Sequence, residues 1–329
     1  MPGDPNPTLA ISSGNLSAPG KSLTLPVSVT DSAAGLQSVL MDINYDTDVF
    51  DQGNGDLALG ALVAELAGNE AWSLTPNVDD AAGKVTVLLH SVEPLPGGIG
   101  DLLEVTYNVR SDAPSGLTQL DLADAETYLN GGALTITTLD GDVFIDATAP
   151  TVAAVKHNDG QLRPNQLTSL AFTLSEDVEA SIEVTDLSMH NDTTDQYVDL
   201  SALAEGDFAY DHLTHIARWD LSRISFPPAY YTYTLNSASV TDLAGNELDG
   251  DGNGVGGDNY SDTLMVALGG DVNLDGSVNL ADLVIMGHPN HCGQGGMTWI
   301  EGDLNFDSNV NMADLIILGD PSNWDKSLI

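Results

Sequence analysis

Two stretches near the end of the chain share one arrangement of oxygen-bearing side chains. Residues 270–287 read GDVNLDGSVNLADLVIMG and residues 302–319 read GDLNFDSNVNMADLIILG, an offset of 32 residues. Counting from the first aspartate, oxygens fall at loop positions 1, 3, 5, 7, 9 and 12. The first copy supplies Asp271, Asn273, Asp275, the backbone carbonyl of Ser277, Asn279 (directly or through water) and Asp282. The second supplies Asp303, Asn305, Asp307, the carbonyl of Asn309, Asn311 and Asp314. Three carboxylates directed at one point repel each other, and a divalent cation relieves that repulsion. The all-oxygen donor set suits calcium, and the spacing is that of a calcium loop. No histidine or cysteine occupies a ligand position, which argues against zinc. An acidic turn ahead of an ordinary helix is the competing reading for one loop, and tandem repetition weighs against it.

Behind each loop the apolar spacing becomes helical, with Leu283, Ile285 and Met286 in the first copy and Leu315, Ile317 and Leu318 in the second. Gly276 stands at position 6 of the first loop, where the chain must turn sharply, and Ser308 takes that place in the second. Between the copies lies HPNHCGQGGMTWIE. Its His288, His291 and Cys292 lack the fourth ligand of a closed metal site, so the segment reads as a solvated connector. A third acidic run, Asp249, Asp251 and Asn253 followed by Gly254, begins like a calcium loop. Its position 12 falls on Tyr260 and Asp258 is out of register. Two readings stand: a third calcium site, or a Gly/Asp-rich turn, the default.

Two EF-hand-like calcium loops, each followed by one helix, resemble the dockerin module of cellulosome-type assemblies over nearly all of residues 270–320. The resemblance implies two calcium ions and a cohesin partner. It also implies that loop positions 10 and 11 select that partner, here Leu280 and Ala281, and Met312 and Ala313. Many dockerins carry hydroxyls there. Ser308 and the connector depart from the family pattern.

The rest of the chain reads as short strands. Residues 22–29, 37–45, 84–89 and 103–109 alternate apolar and polar side chains between Gly, Pro, Asn and Asp punctuation, as in an antiparallel sandwich with a wet face. Residues 56–66 are the one place a short helix fits. GLQSVLMDINYDTDVF, LEVTYNVRSDAPSG and LDGDVFI resemble segments of a cohesin. In that family the face of the strand before Tyr-Asp meets the dockerin. Here the outward set would be Ser38, Leu40, Asp42 and Asn44, with Leu88 in phase on the neighbouring strand, making Leu40 and Leu88 candidate partner contacts. A sugar-binding jelly roll shares this architecture, but Trp72 and a few tyrosines form no obvious aromatic row.

Residues 146–150 look like a linker. Strand-like runs resume at 151–155, 169–174, 180–184, 215–220 and 230–235, with Trp219 the expected core aromatic. This part resembles bacterial immunoglobulin-like spacers, notably through VTDLAGNELDGDGNG. The predicted architecture is mainly β: a cohesin-like jelly-roll sandwich over 1–147, an immunoglobulin-like sandwich over 148–268 and a small α-helical dockerin over 269–329.

Eight basic residues face forty-nine acidic ones, a formal charge of −41. Such a chain repels nucleic acid and anionic lipid. Cys292 is the single cysteine, so no intrachain disulfide exists, and no stretch suits membrane insertion. The first residues lack the features of an export signal, which implies a fragment or a removed signal. No Gly-x-Ser-x-Gly, His-Glu-x-x-His or phosphate-loop motif is present, which argues against an enzyme. The expected protein is a secreted or cell-surface adaptor that binds cohesin- or dockerin-bearing proteins through calcium-dependent docking. Head-to-tail self-association follows if its two ends fit each other. The rival reading is a surface adhesin or polysaccharide-binding protein tethered by its dockerin.

Overall fold

The computed structural model describes residues 7–66 and 68–328. The chain divides into two compact units: residues 1–148 with 244–246, and residues 149–243 with 247–329. Among the described residues the protein is mainly β, with three α-helices, and no helix is long and apolar enough to cross a membrane.

The first unit is a two-sheet sandwich. One sheet runs in the order Thr137–Leu139, Thr8–Ile11, Ser22–Val29, Gly100–Val109 and Phe50–Asp51, with Leu57–Leu59 also on Gly100–Val109. The other runs Asn15–Ser17, Gly141–Ile145, Gly116–Leu122, Ser38–Asn44, Lys84–His90 and Ser73–Asp79, with Tyr128–Leu129 beside Ser38–Asn44. Pairing is antiparallel except where Thr8–Ile11 meets Thr137–Leu139 and Asn15–Ser17 meets Gly141–Ile145. Period-2 alternation turns Val39, Met41, Ile43, Val85, Val87 and Leu89 inward against Leu103, Val105 and Tyr107, and all are buried. Each such side chain contributes roughly 1.5–3 kcal/mol as an upper bound.

Two expectations for this unit need correction. The helix predicted over 56–66 is a single turn, Ala61–Ala64, because Leu57–Leu59 pairs with Gly100–Val109 instead. Gly60 joins them, and a Cβ there would collide with the backbone of Asp101 and Leu102. Trp72 is a buried core residue and offers no ring to a ligand.

The second unit opens with another two-sheet sandwich. Its sheets run Val152–His157, Ser169–Leu174, Ile216–Asp220, Phe208–Asp211, and Gln196–Tyr197, Leu187–Asn191, Ala229–Leu235, Tyr260–Val266. They share a core in which Phe172 packs edge-on against both Trp219 and Tyr233. Trp219 is fully buried and donates its indole N–H to the Val184 carbonyl at 2.9 Å. The strand expected at 180–184 is a turn followed by a 3-10 helix, Val184–Asp186. The Ser181 hydroxyl donates to the Thr241 carbonyl and accepts from the Thr241 N–H, doing by side chain what a strand would do by backbone.

Beyond Val266 a third, smaller core gathers Ala267, Leu268, Val272, Val278, Met286, Trp299, Leu304, Val310, Leu318 and Leu328. Around it stand the helices Leu280–Met286 and Met312–Leu318 and a short ladder between Ser277–Val278 and Lys326–Ser327.

Candidate metal centres and docking faces

The two repeated loops have the same internal wiring. In the first, Asp271 accepts from the N–H groups of Asp275 (3.1 Å) and Gly276 (2.9 Å). Asp282 accepts from Val272 (2.8 Å) and Asn273 (3.2 Å) on one oxygen and from Asn279 (2.9 Å) on the other. In the second, Asp303 accepts from Asp307 (3.0 Å) and Ser308 (2.9 Å). Asp314 accepts from Leu304 (2.9 Å), Asn305 (3.2 Å) and Asn311 (2.9 Å). The first and last carboxylates of each loop are thus folded inward and buried, while Asp275 and Asp307 sit at the mouth, exposed. Asn273 and Asn305 each donate an amide N–H to that mouth carboxylate.

Backbone conformation matches between copies. Leu274 and Phe306 at position 4, and Gly276 (φ +83°) and Ser308 (φ +65°) at position 6, all lie in the left-handed region. That region costs a residue with a β-carbon about 1 kcal/mol. Gly276 is constrained twice, since a Cβ there would stand 2.7 Å from the Tyr230 hydroxyl.

Burying carboxylates without a counter-charge disfavours their ionised form. Burial pushes the Asp271 carboxyl up to about 6, against the opposing pull of the Gly276 and Asp275 N–H groups, with the Asp282 and Asp275 charges adding to the rise. Burial raises Asp303 as well. Asp307, at the mouth, is lowered by the Asn309 N–H. Among the described residues, no basic side chain lies within 4.0 Å of any of the six loop carboxylates. The donor set is oxygen alone, carries three carboxylates per loop and lacks a protein counter-ion, so it fits a hard divalent cation. Asn279 and Asn311 have a structural task instead: each accepts from the N–H two residues on, at 2.8 Å, and so caps its helix. The carbonyl-bearing residues Ser277 and Asn309 follow, each donating its N–H to the mouth aspartate.

Neighbouring side chains that spacing alone did not single out hold the loops in place. Trp299, in the connector, is buried and donates its indole N–H to the Asp271 carbonyl at 2.7 Å. Its ring stacks on Phe306 of the second loop, 5.5 Å between centroids. The Arg163 guanidinium lies 4.6 Å from the centre of the same Phe306 ring. A lone tryptophan in a glycine-rich connector was the available signal for Trp299. Tyr230 and Arg163, distant in sequence, left none. In that connector His288 and His291 pack against each other and Cys292 is exposed.

At the third acidic run, Asp258 is not out of place. Its carboxylate joins those of Asp249 and Asp251, with one oxygen from each within 4.8 Å of the others. Residues 250–257 loop out because Asp249 accepts from Gly252, Asn253 and Gly254, and Asp258 from Gly250. The Asn253 side chain accepts from Val255.

On the first unit, Leu40 and Leu88 are direct cross-strand partners, 36% and 38% exposed. Tyr128, paired with Leu40 from the other side and also exposed, extends the patch; it follows a loop and gave no strand signal. Ser38 and Asn44 are half-buried on the same strand. Asp42, counted as outward, is buried instead, because the Lys84 side chain folds across it into a 2.5 Å ion pair. On the repeat, Leu280 and Met312 are 64% and 67% exposed, and Ala281 and Ala313 are exposed beside them. One helical turn on, Val284 and Ile316 are exposed too. That i, i+4 recurrence was readable in both copies.

A model of the cohesin-domain family matches residues 8–145. No curated protein matches the chain. Among solved structures the chain is similar to a type I cohesin–dockerin complex from Clostridium thermocellum, at 20% identity over 43% of this chain and 99% of that one, TM-score 0.35. It is also similar to CaCohA2 from Clostridium acetobutylicum, at 17% identity over 43% of this chain and 92% of that one, TM-score 0.35. A third is a type III cohesin module from a cell-surface anchoring scaffoldin of Ruminococcus flavefaciens, at 18% identity over 43% and 88%, TM-score 0.34. The N-terminal region of this chain, residues 8–145, is a cohesin domain, a non-catalytic module of scaffold assembly.

Proposed function

We propose that this protein is a non-catalytic adaptor of an extracellular or cell-surface assembly. The cohesin domain receives a dockerin-bearing partner, the middle sandwich acts as an immunoglobulin-like spacer, and the C-terminal repeat is a dockerin that docks once two calcium ions fill its loops. The observation that carries the reading is the duplicated wiring: Asp271 and Asp282, and Asp303 and Asp314, are buried in matching places with no cation of the protein's own beside them. Calcium would be held by the three carboxylates of each loop, Asn273 and Asn305, and the carbonyls of Ser277 and Asn309. The cluster at Asp249, Asp251 and Asp258, with Asn253, is a candidate for a third ion. Bound calcium supplies the counter-charge that lets the buried carboxylates ionise together.

The apolar character of both faces bears on the partner. Leu40 and Leu88 on one module, and Leu280 and Met312 on the other, suit burial of leucine and methionine more than pairing of hydroxyls. The cohesin face then accepts dockerins of its own chain's type, and such contacts run head to tail. The test is capture of purified dockerin- and cohesin-bearing proteins, including a second copy of this chain, on the immobilised full chain with calcium and with EDTA. Capture of at least one of them that requires calcium is the expected result. Capture of none, or capture indifferent to EDTA, would overturn the docking reading.

A further inference from the structure

The outer face of the sheet containing Leu187–Asn191, Ala229–Leu235 and Tyr260–Val266 carries a shallow cleft of about 390 Å³. Strand register assembles it. His190 lies between Tyr197 on one neighbouring strand and Thr232 on the other. Two residues along, Ser188 pairs with Thr234, which pairs with Ser261. Asp192 and Asn259 complete the lining. A wet sheet face is ordinarily filled by long charged side chains. Here none of the lining residues is lysine, arginine, glutamate or glutamine, and short polar groups leave depth between the strands.

These groups are already oriented. The Asp192 carboxylate accepts from His190 Nδ1 at 2.7 Å and from the Thr232 hydroxyl at 2.8 Å, and each carboxylate oxygen keeps further acceptor capacity. The Thr234 and Ser261 hydroxyls are 2.8 Å apart and can donate or accept. Asn259 spends its carbonyl oxygen on the Ser237 N–H and hydroxyl, so its amide nitrogen is the group left for a ligand. Tyr197 is 78% exposed and is held by an edge-to-face contact with His190, 5.1 Å between centroids.

We propose that this cleft binds a neutral glycan. A sugar ring presents apolar C–H faces and a rim of hydroxyls that both donate and accept. An exposed tyrosine ring matches the faces. A preoriented carboxylate, paired hydroxyls and an amide match the rim. Anionic sugars are excluded by charge: Asp192 lines the cleft, Asp195 lies 3.3 Å from His190 Nε2, and no lysine or arginine is present to offset them. The site involves none of the docking residues, so it stands whether or not the docking reading does.

Affinity electrophoresis of the full chain in excess calcium tests it, with hydroxyethylcellulose, xyloglucan and galactomannan as neutral probes and polygalacturonate as the anionic one. At least one neutral polysaccharide slows the wild type and polygalacturonate does not. Tyr197→Ala and Asp192→Ala each weaken retardation tenfold or more at unchanged melting temperature, while Tyr197→Phe keeps the ring and stays within about threefold of wild type. The proposal is overturned if no neutral probe slows the wild type, if polygalacturonate slows it equally, or if both alanine variants bind like wild type. Should Tyr197→Ala fold poorly, Tyr197→Phe and Asp192→Ala decide: loss in the first or retention in the second overturns it.

Discussion

At the sixth position of the repeated loops, one β-carbon distinguishes the two copies. Gly276 and Ser308 share the left-handed conformation, and only the serine bears its cost of about 1 kcal/mol. Both loops carry three carboxylates, so charge does not offset the difference. The 303–314 loop is accordingly the weaker calcium site, by about fivefold. Ser308→Gly recovers that factor, and Gly276→Ser loses more than it because its new β-carbon meets the Tyr230 hydroxyl. Calorimetric calcium titration of the full-length variants ranks the sites; a tighter 303–314 loop in the wild type contradicts the argument. At this scale the ligand set was readable, because a loop that wraps a cation must place oxygens at fixed steps. The capping role of Asn279 and Asn311 was less so, since one asparagine at a helix start serves either end.

At the scale of elements, the Leu40–Leu88 pair sits at the centre of a sheet face whose other members are polar or covered. Replacing Leu40 by aspartate places an uncompensated charge in the middle of the contact. It should weaken capture of a dockerin partner by more than tenfold while leaving the melting temperature within a few degrees, because the side chain is a third exposed and outside the core. Capture within twofold of wild type removes this face from the interface. Alternation found that face, since side chains on a strand must take turns. It misplaced Asp42 because Lys84, whose in-register partner is Asn44, reaches diagonally across the sheet to it. It likewise took 180–184 for a strand, where the Ser181 hydroxyl supplies the backbone's hydrogen bonds. Such diagonal and side-chain contacts leave no period in a sequence.

For the whole molecule, the two compact units predict two heat-absorbing transitions. Calcium binding only the folded loops stabilises the second unit by about 4 kcal/mol per ion when calcium is a thousandfold over its Kd. Scanning calorimetry of the full chain with and without EDTA should therefore lower one transition by on the order of 10 °C or more and leave the cohesin domain's in place. Two transitions that ignore EDTA would mean that the loops hold no structural ion. The cohesin domain could be recognised from three short segments because strands that close a sandwich keep their pattern. That the repeat packs within the same compact unit as the middle sandwich could not, since Tyr230 and Arg163 meet the loops only through the fold.

Trp299 turns the two loops into one instrument. Its indole nitrogen is tied to the first ligand residue of one loop and its ring rests on the fourth residue of the other. An ion entering either loop must shift a group that this side chain touches, so the loops are mechanically linked through a single ring. Calcium therefore loads as a linked pair, and the loading is visible from inside: the fluorescence of Trp299 is a native signal that tells whether the adaptor is armed.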